Sequence, residues 1–295
     1  MVLPWASMGV MDVLCSGFGL VESPRWHAGR LWFSDWTSGR ILTVDPAGTT
    51  EVVVEHRSLP LCFDFLPDGR LVLVSNQEGR LLTLEADGEL TPYADLTPIS
   101  GLGCNDIVVD GRGFVFVNSP NFDFAVGPPA GEVQPGVVGV VMPDGQARVV
   151  ADDIAFPNGM AVTADGSTLV VADSYRHCLV GFTIADDGSL SDRRVWAGLG
   201  DHAPDGICLD AAGAAWYADV PHQVCVRLAE GGEVLATVDL DRGGFACMLD
   251  DADSPSLYAV TAHWPGAAAL MTHTDWDGQV VRIPVDVPGA GWPAR

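Results

Sequence analysis

Short apolar segments alternate with polar turns along the whole chain. The segments hold about four to seven β-branched, aromatic or small residues, and turns rich in Gly, Asp and Pro recur about every 8–12 residues. By contrast, we find no stretch of about 12 residues with a convincing helical period. This pattern predicts an all-β fold.

One strand–turn–strand unit is repeated six times. Its copies are RWHAGRLWFSD, FLPDGRLVLVS, VVDGRGFVFVN, VTADGSTLVVAD, CLDAAGAAWYAD and LDDADSPSLYAV. The second strands end near Asp35, Ser75, Asn118, Asp173, Asp219 and Thr261, which places the copies 40 to 55 residues apart. A third strand usually follows, then another turn and a fourth strand such as EVVVE or ARVVA. Four strands per unit at this period predict a six-bladed β-propeller.

The last unit differs from the others because it offers only three clear strands, ending in QVVRIPV. The segment MDVLC near the N-terminus can supply the missing outer strand. Such a pairing closes the ring and removes an open sheet edge. We therefore expect a single propeller domain over residues 1–295, with the ring closed by an N-terminal strand.

Four oxygen-bearing side chains occupy the same position of the repeat, just before the innermost strand of a blade. They are Glu22, Asn105, Asn158 and Asp205. The equivalent positions of blades two and six hold Asp64 and Cys247. A single Asn or Asp before a strand is explained as a turn former. Four in one register favour a common site at the upper mouth of the central channel.

Two carboxylates and two carboxamides form an all-oxygen ligand set. Ca²⁺, Mg²⁺ and Mn²⁺ prefer such ligands, whereas Zn²⁺ more often recruits His or Cys. Without a cation, Glu22 and Asp205 would repel each other and raise each other's pKa. We therefore predict one divalent ion in the channel, with Ca²⁺ favoured and Zn²⁺, Mn²⁺ or Mg²⁺ as alternatives. Its open positions would bind water and polarise a carbonyl group.

Five segments of the chain resemble the SMP-30/gluconolactonase/LRE-like (regucalcin) family. They are ESPRW at 22–26, ND at 105–106, FPNGMAV at 156–162, VADS at 171–174 and PDGICLDAAGAAWYAD at 204–219. The resemblance covers essentially the whole chain. It implies a six-bladed propeller with one divalent metal in its channel, and typical members of the family hydrolyse sugar-acid lactones.

The resemblance also implies roles for individual residues. Glu22, Asn158 and Asp205 match the metal ligands, and Asn105 matches a residue near both metal and substrate. Asp205 is further implied as the base that acts on water, so that Asn105 and Asp205 are the candidate catalytic residues. One departure concerns the substrate. Typical sugar lactonases carry an Arg two residues before the ND pair, where this chain has Gly103.

Two long connections and several aromatic side chains are predicted to surround the channel mouth. The first loop, 118–136, carries Phe122 and Phe124, and the second, 263–278, carries His263, Trp264, His273 and Trp276. Trp36, Tyr175 and His222 end strands at the same rim. Long loops are disproportionately functional. The residues that we predict to bind substrate are Asn105, Asp106, Phe122, His222, His263 and Trp264. An aromatic rim favours a bulkier or less polar lactone or ester.

Charge and cysteine usage limit the possible partners and compartments. The net charge is −24, with 39 acidic residues against 15 basic ones. Such a chain lacks the basic surface that binds nucleic acid or an anionic membrane. The seven cysteines include no CxxC pair, which is typical of buried, reduced thiols in a cytoplasmic protein. The N-terminus lacks a basic signal-peptide region, and no 18-residue apolar span is present.

These observations favour a metal-dependent hydrolase acting on a small-molecule lactone or ester. The signatures GxSxG, HExxH, the Walker loop and GxGxxG are all absent from the sequence. Two alternatives stay open because a fold does not fix a reaction. One is a non-hydrolytic enzyme, such as an isomerase, dehydratase or cyclase, on the same metal site. The other is a calcium-binding propeller without catalysis.

Overall fold

The computed structural model describes residues 11–123, 126, 134–266, 269–270 and 272–293. These residues form 24 strands arranged in six antiparallel sheets of four strands each. The sheets are the blades of a six-bladed β-propeller, which confirms the predicted fold class. A single 3₁₀ turn, Ser174–Arg176, follows the strand Thr168–Asp173.

Each blade is built from consecutive strands. The first three blades, from the channel outwards, comprise β2 (Val21–His27), β3 (Arg30–Asp35), β4 (Arg40–Val44) and β5 (Thr50–Glu55); β6 (Phe63–Phe65), β7 (Leu71–Ser75), β8 (Arg80–Leu84) and β9 (Leu90–Asp95); and β10 (Ile107–Val109), β11 (Val115–Ser119), β12 (Gly136–Val141) and β13 (Ala147–Ile154).

The remaining blades follow the same plan, except that the outer strand of the sixth comes from the start of the chain. They comprise β14 (Pro157–Val162), β15 (Thr168–Asp173), β16 (Cys178–Ile184) and β17 (Leu190–Gly198); β18 (Pro204–Leu209), β19 (Ala215–Asp219), β20 (Val224–Leu228) and β21 (Val234–Asp239); and β22 (Gly243–Leu249), β23 (Ser256–Ala262), β24 (Gly278–Pro284) and β1 (Asp12–Phe18).

The core lies between neighbouring blades and follows from the apolar runs of the second strands. Every residue of β7 and β11 is buried, whereas all but one residue in each of the outer strands β5 and β13 are exposed or partly exposed. A strand that is buried on both faces requires a continuous apolar sequence rather than alternation. The runs LVLVS and VFVNS therefore belong inside the ring.

The fold also bears on the state of the cysteines and on the possibility of a membrane-spanning helix. All seven cysteines are free thiols, and six of them are buried, as the sequence predicts. Burial raises the pKa of the Cys15 thiol and of the Cys104 thiol to about 12. Among the described residues, no helix has the length and apolar character needed to cross a membrane.

The first strand connects the two ends of the ring. β1 pairs with β24 from Asp12 opposite Arg282 to Phe18 opposite Gly278. An ion pair of 2.8 Å between Arg282 and Asp12 supports the same contact, although it is exposed and contributes little. We propose that this pairing fastens the ring.

Removal of residues 1–18 should lower the melting temperature and promote self-association. The truncation exposes the edge of β24, and each lost backbone hydrogen bond costs about 0.5–1.5 kcal/mol. A matched variant that lacks only residues 1–10 retains every β1–β24 pair and should melt like the intact chain. Thermal melts and light scattering compare the three proteins, and equal melting temperatures would contradict the proposed role of β1.

Candidate active site

The four predicted site residues lie at the channel end of the inner strands. Glu22, Asn158 and Asp205 are in the first two positions of β2, β14 and β18, and Asn105 precedes β10. All four side chains line one cavity at the mouth of the channel. The structure therefore brings the members of the predicted register together.

A β-bulge follows each ligand candidate that lies within a strand. The register shifts between Glu22 and Arg25, between Pro157 and Met160, and between Pro204 and Ile207. Bulges next to active sites redirect side chains and interrupt strand pairing. Here the repeated bulge turns the residue at the strand start towards the channel axis.

Glycine is required at two of these bulges because the inner strands approach one another closely. A Cβ atom on Gly159 would lie 2.6 Å from the backbone nitrogen of Ile207, and one on Gly206 would lie 2.2 Å from Cβ of Ala246. The motifs PNG and PDG thus combine a ligand candidate with the only residue type that fits beside it.

Three buried aspartates at the ends of second strands hold the segments that lead into the site. Asp35 accepts a hydrogen bond from the backbone N–H of Gly19 at 3.1 Å. Asp173 accepts from the N–H groups of Ala155 and Phe156 at 3.0 and 3.1 Å. In the same manner, Asp219 accepts from the N–H of Ala203 at 3.1 Å. We call these three residues the strand-end aspartates.

The strand-end aspartates occur in the blades that carry Glu22, Asn158 and Asp205. Each also accepts a hydrogen bond from the turn that follows its own strand. The sequence shows them as ends of strands, but their role was missed in the sequence analysis. The available signal was the recurrence of Asp at the same repeat position in these three blades.

Blades three and four are joined directly at the site. Nδ2 of Asn105 donates hydrogen bonds to the carbonyl oxygen of Pro157 and to Oδ1 of Asn158, both at 3.2 Å. Nδ2 of Asn118 donates to the carbonyl oxygen of Asn158 at 2.6 Å. These bonds fix the carboxamide groups of Asn105 and Asn158. Oδ1 of Asn105 takes no part in them.

The two carboxyl groups of the site are held in an environment that disfavours their charge. Burial raises the pKa of Glu22 to about 8, although the N–H of Ser23 donates a hydrogen bond to Oε2 at 2.6 Å. Burial raises the pKa of Asp205 well above its usual range, and the nearby carboxylates of Glu22 and Asp106 raise it further. The site is therefore short of positive charge.

Below the ligand candidates, a buried arginine compensates a second group of carboxylates. Arg25 lies 3.0 Å from Oδ1 of Asp106 and 3.7 Å from Oδ1 of Asp64, and it also donates to the carbonyl oxygen of Ile107 at 2.7 Å. Burial nevertheless raises the pKa of Asp64 to about 7. Arg25 belongs to the segment ESPRW, whose sequence alone gives no sign of this role.

Asp106, a predicted substrate-binding residue, contacts Arg25 in the channel. Asp106 lies along the narrow channel with Arg25, and it is not among the residues that line the wide cavity above. Its Oδ2 accepts from the N–H of Met160 at 3.3 Å. Its carboxylate is thus bound to a buried guanidinium group and a backbone N–H group, and it forms part of the channel wall.

The residues at the channel mouth fit a divalent cation. Glu22, Asn158 and Asp205 supply hard oxygen donors from three blades, and Asn105 adds a fourth oxygen. Glu22 and Asp205 are buried, and Asp205 has no arginine partner nearby. When ionised, the two carboxylates carry negative charge that a cation would balance.

The cavity above these oxygens is largely aromatic. Its volume is about 250 Å³. The aromatic residues that line it are Trp36, Phe122, Phe156, Tyr175, Phe245 and Trp264. Phe156 stacks between Phe122 and Tyr175, with ring centroids 5.8 and 4.8 Å away. Phe122 and Trp264 thus lie where the sequence placed them, at the cavity wall.

A second cavity of about 470 Å³ adjoins the first and shares Leu20, Trp36 and Leu270 with it. Arg57 lines this extension. Within the described part of the chain, Arg57 has no carboxylate partner within ion-pair distance, in contrast to most of the other arginines. Together, the two adjoining cavities offer more space than a simple sugar ring needs.

Two of the residues predicted to bind substrate do not line this cavity. His222 lies outside the cavity wall, because its Nδ1 is 2.9 Å from Oδ2 of the buried Asp219. His263 is also outside the cavity, with its side chain 65% exposed and Nδ1 bonded to Asp277. In each case a nearby carboxylate directs the ring away from the channel mouth.

The glycine that replaces the expected arginine has a structural reason. Gly103 has a φ of +94°, a conformation that favours glycine. A Cβ atom there would lie 3.2 Å from Oδ1 of Asn76. Asn76 accepts from the N–H of Cys104 at 2.7 Å and donates to the carbonyl oxygen of Pro60 at 3.1 Å, so it occupies this place.

Part of the predicted cover lies outside the described residues. Phe124 and most of the tip of loop 118–136 are not described, nor are three positions of loop 263–278. The described portion of the second loop places Trp264 edge-on to Phe245, with ring centroids 5.6 Å apart. His273 and Trp276 line the extension rather than the main cavity.

Comparison with known proteins identifies sequences that are similar to this chain. Residues 20–263 match the family described as SMP-30/Gluconolactonase/LRE-like region. A 6-deoxy-6-sulfogluconolactonase from Pseudomonas putida is 28% identical over 152 residues, which are 50% of this chain and 52% of that protein. The chain thus spans about half the length of the curated relative that it matches.

Solved structures share the architecture. A gluconolactonase from Xanthomonas campestris is 23% identical, with a TM-score of 0.75 over 94% of this chain and 89% of that one. Regucalcin from Agrobacterium tumefaciens, a calcium-binding protein, is 20% identical, with a TM-score of 0.76 over 96% of both chains. At these identities the likeness shows the propeller fold alone.

Substitution Asp173→Ala should destabilise the protein and loosen the site. It leaves the partly buried N–H groups of Ala155 and Phe156 without this acceptor, and the loss of a fully buried partner costs about 1–3 kcal/mol, which is the upper limit for each group. Urea denaturation measures the loss, and calcium titration should show weaker binding. Asp186→Ala, at an exposed turn, is the matched control, and an equal effect of both substitutions would contradict the role of Asp173.

The unfolding free energy without metal should fall as the pH rises from about 4.5 to about 8. In this window folded Glu22, with its pKa of about 8, keeps a proton that the unfolded chain has released. Urea denaturation in the presence of a chelator, repeated across this range, measures the slope. Glu22→Gln should reduce the slope, and the raised pKa values of Asp64 and Asp205 should account for the remainder. Asp186→Asn should leave the slope unchanged, and an identical slope in Glu22→Gln would refute the contribution of Glu22.

Proposed function

The chain belongs to the SMP-30/gluconolactonase/LRE-like family, and we propose that it hydrolyses a small-molecule lactone or a related ester with the help of a divalent cation. The observation that carries this proposal is the convergence of Glu22, Asn105, Asn158 and Asp205 at the floor of one cavity. The sulfogluconolactonase relative supports lactone chemistry for the same family.

In this proposal Glu22, Asn158 and Asp205 hold the cation, for which Ca²⁺ is the first choice. The chemistry that a bound cation supplies is polarisation of the substrate carbonyl group and of water. Regucalcin, a neighbour in fold, is described as calcium-binding, which agrees with this choice. The low number of protein oxygens leaves room for substrate and water.

Asp205 is proposed as the base that takes a proton from the attacking water. Without compensating charge its carboxyl group has a raised pKa, so it is a good proton acceptor once it has ionised. Asn105 is held by its bonds to Pro157 and Asn158, which directs its Oδ1 away from these partners and allows it to orient the reacting group. The aromatic wall limits the access of bulk water.

The shape of the cavity favours a substrate that is bulkier or less polar than a plain sugar-acid lactone. Six aromatic side chains form the wall, and the arginine expected for sugar binding is replaced by Gly103. Apolar pockets with few polar groups bind the apolar parts of a ligand and orient it through those groups. We propose that the substrate body contacts Trp36, Phe122 and Trp264 while its carbonyl group lies above Glu22 and Asp205.

A non-hydrolytic reaction on the same residues is the alternative, and the replacement at Gly103 favours it. Metal content of the purified protein and turnover of a lactone panel, with and without chelator, decide between the two. Lactone opening that chelator abolishes and Ca²⁺ restores supports hydrolysis. Bound metal with no turnover of any lactone or ester would transfer the proposal to an isomerase, a dehydratase, a cyclase or a calcium-binding protein.

Asp205→Asn should lower kcat by about 10²–10⁴-fold, because the amide cannot accept the proton from water. The matched control, Asp186→Asn, removes an exposed carboxylate and should have wild-type rates. Steady-state kinetics on the best lactone of the panel provides the measurement. A fully active Asp205→Asn enzyme would end the assignment of this base.

Trp264→Ala should reduce kcat/KM for lactones with an apolar substituent by about 10-fold or more, because a hydrophobic contact of this size contributes about 1–3 kcal/mol. Hydrolysis of a small sugar-acid lactone should change less. Tyr93→Ala, on the outer strand β9, is the aromatic control. Equal losses on both substrate types would argue against an apolar substrate body at this wall.

A further inference from the structure

Two histidines and two aspartates form a second cluster at the rim of blade five. His202 lies in the connection between β17 and β18, and His222 lies in the turn after β19. One nitrogen from each ring and a carboxylate oxygen of Asp201 all lie within 4.8 Å of one another. The buried Asp219 lies behind both rings.

We propose that His202, His222 and Asp201 form a second metal site, for a transition-metal ion such as Zn²⁺. Two imidazoles and one carboxylate are a donor set that suits Zn²⁺, with a fourth position left for water. This set differs in kind from the all-oxygen ligands in the channel. The two sites would therefore select different ions, a hard cation in the channel and a softer one at the rim.

The position of Asp219 supports this assignment. Its Oδ2 lies 2.8 Å from Nδ1 of His202 and 2.9 Å from Nδ1 of His222. For His222 this contact is a hydrogen bond, and a carboxylate that is bonded to one ring nitrogen of a histidine fixes its tautomer and leaves the other nitrogen available to a metal. In agreement, Nε2 of His222 is the atom that approaches Oδ2 of Asp201, at 3.7 Å.

The ring of His202 is less firmly held than the ring of His222. Its Nδ1 is buried and has no aligned hydrogen-bond partner, despite the short distance to Asp219. The two rings lie face to face, with centroids 4.3 Å apart and planes inclined by 23°. Coordination of an ion by the opposite nitrogens would fix the rotation of both rings.

A metal at this rim would join two segments that form the wall of the substrate cavity. Ala203 follows His202, while Val220 and Pro221 precede His222, and all three line that cavity. The backbone of His202 is already held through its carbonyl oxygen, 2.8 Å from Nδ1 of His177. The added ion would thus stabilise the cavity wall without touching the channel ligands.

The test uses the full chain, stripped of metal by chelator and titrated calorimetrically with ZnCl₂ and, separately, with CaCl₂. Glu22→Gln, which damages the channel site only, should retain one Zn²⁺ per chain and lose Ca²⁺ binding. Adding His202→Gln and His222→Gln to that variant should weaken Zn²⁺ binding by more than about 100-fold, since changes to groups that merely support a ligand already cost about 10–100-fold.

Two further variants guard against loss of folding and against non-specific binding. His222→Gln alone changes one partly exposed ring, and its thermal melt checks that the protein is folded. His263→Gln removes a histidine of another blade that also contacts an aspartate, and it should bind Zn²⁺ like the wild type. Zn²⁺ binding that is absent from Glu22→Gln, or unchanged in His222→Gln, would overturn the proposal.

Cobalt substitution provides an independent readout. Co²⁺ bound by nitrogen ligands in a tetrahedral site gives a visible absorption band that a purely aqueous ion lacks. The band should appear in the wild type and in Glu22→Gln, and it should vanish when both rim histidines are replaced. A band of equal strength in all three proteins would place the ion elsewhere and contradict the proposed ligands.

Discussion

The site depends on one repeated interaction, a buried aspartate at the end of a second strand that binds the backbone leading into the neighbouring inner strand. Asp35, Asp173 and Asp219 each accept these hydrogen bonds at about 3 Å. Hydrogen bonds to an ionised acceptor are roughly twice as strong as neutral ones. The aspartates therefore fix the strand starts that carry Glu22, Asn158 and Asp205, although they themselves lie one strand away.

Electrostatics divides the channel into two levels. At the lower level, Arg25 contacts both Asp64 and Asp106 and supplies one positive charge to this pair. At the upper level, Glu22 and Asp205 have raised pKa values, and Asp205 has no arginine partner comparable to Arg25. The molecule thus concentrates uncompensated oxygen donors where the cavity opens, and this contrast explains why a cation is proposed above the arginine rather than below it.

In the proposed function, substrate choice is separated from the chemistry of the channel floor. The floor comes from strand starts fixed by bulges and glycines, whereas the wall comes from loops that carry Phe122, Trp264 and Tyr175. Functions are changed most easily in loops supported by a rigid scaffold. The same division holds for the rim cluster, because His202 and His222 lie on connections while the strand-end Asp219 belongs to the scaffold.

The sequence by itself determined the six blades and the shared register of Glu22, Asn105, Asn158 and Asp205, because periodic turns and apolar runs are local signals. It did not indicate the surroundings of Asp106, His222 and His263. Only the tertiary structure showed that Arg25 reaches Asp106 across 81 residues, because that contact joins two blades and exists only once the ring has closed. The partners of the two histidines are close in the chain, Asp219 for His222 and Asp277 for His263, but these contacts depend on how a turn or loop directs its side chains, which periodic turns and apolar runs do not specify.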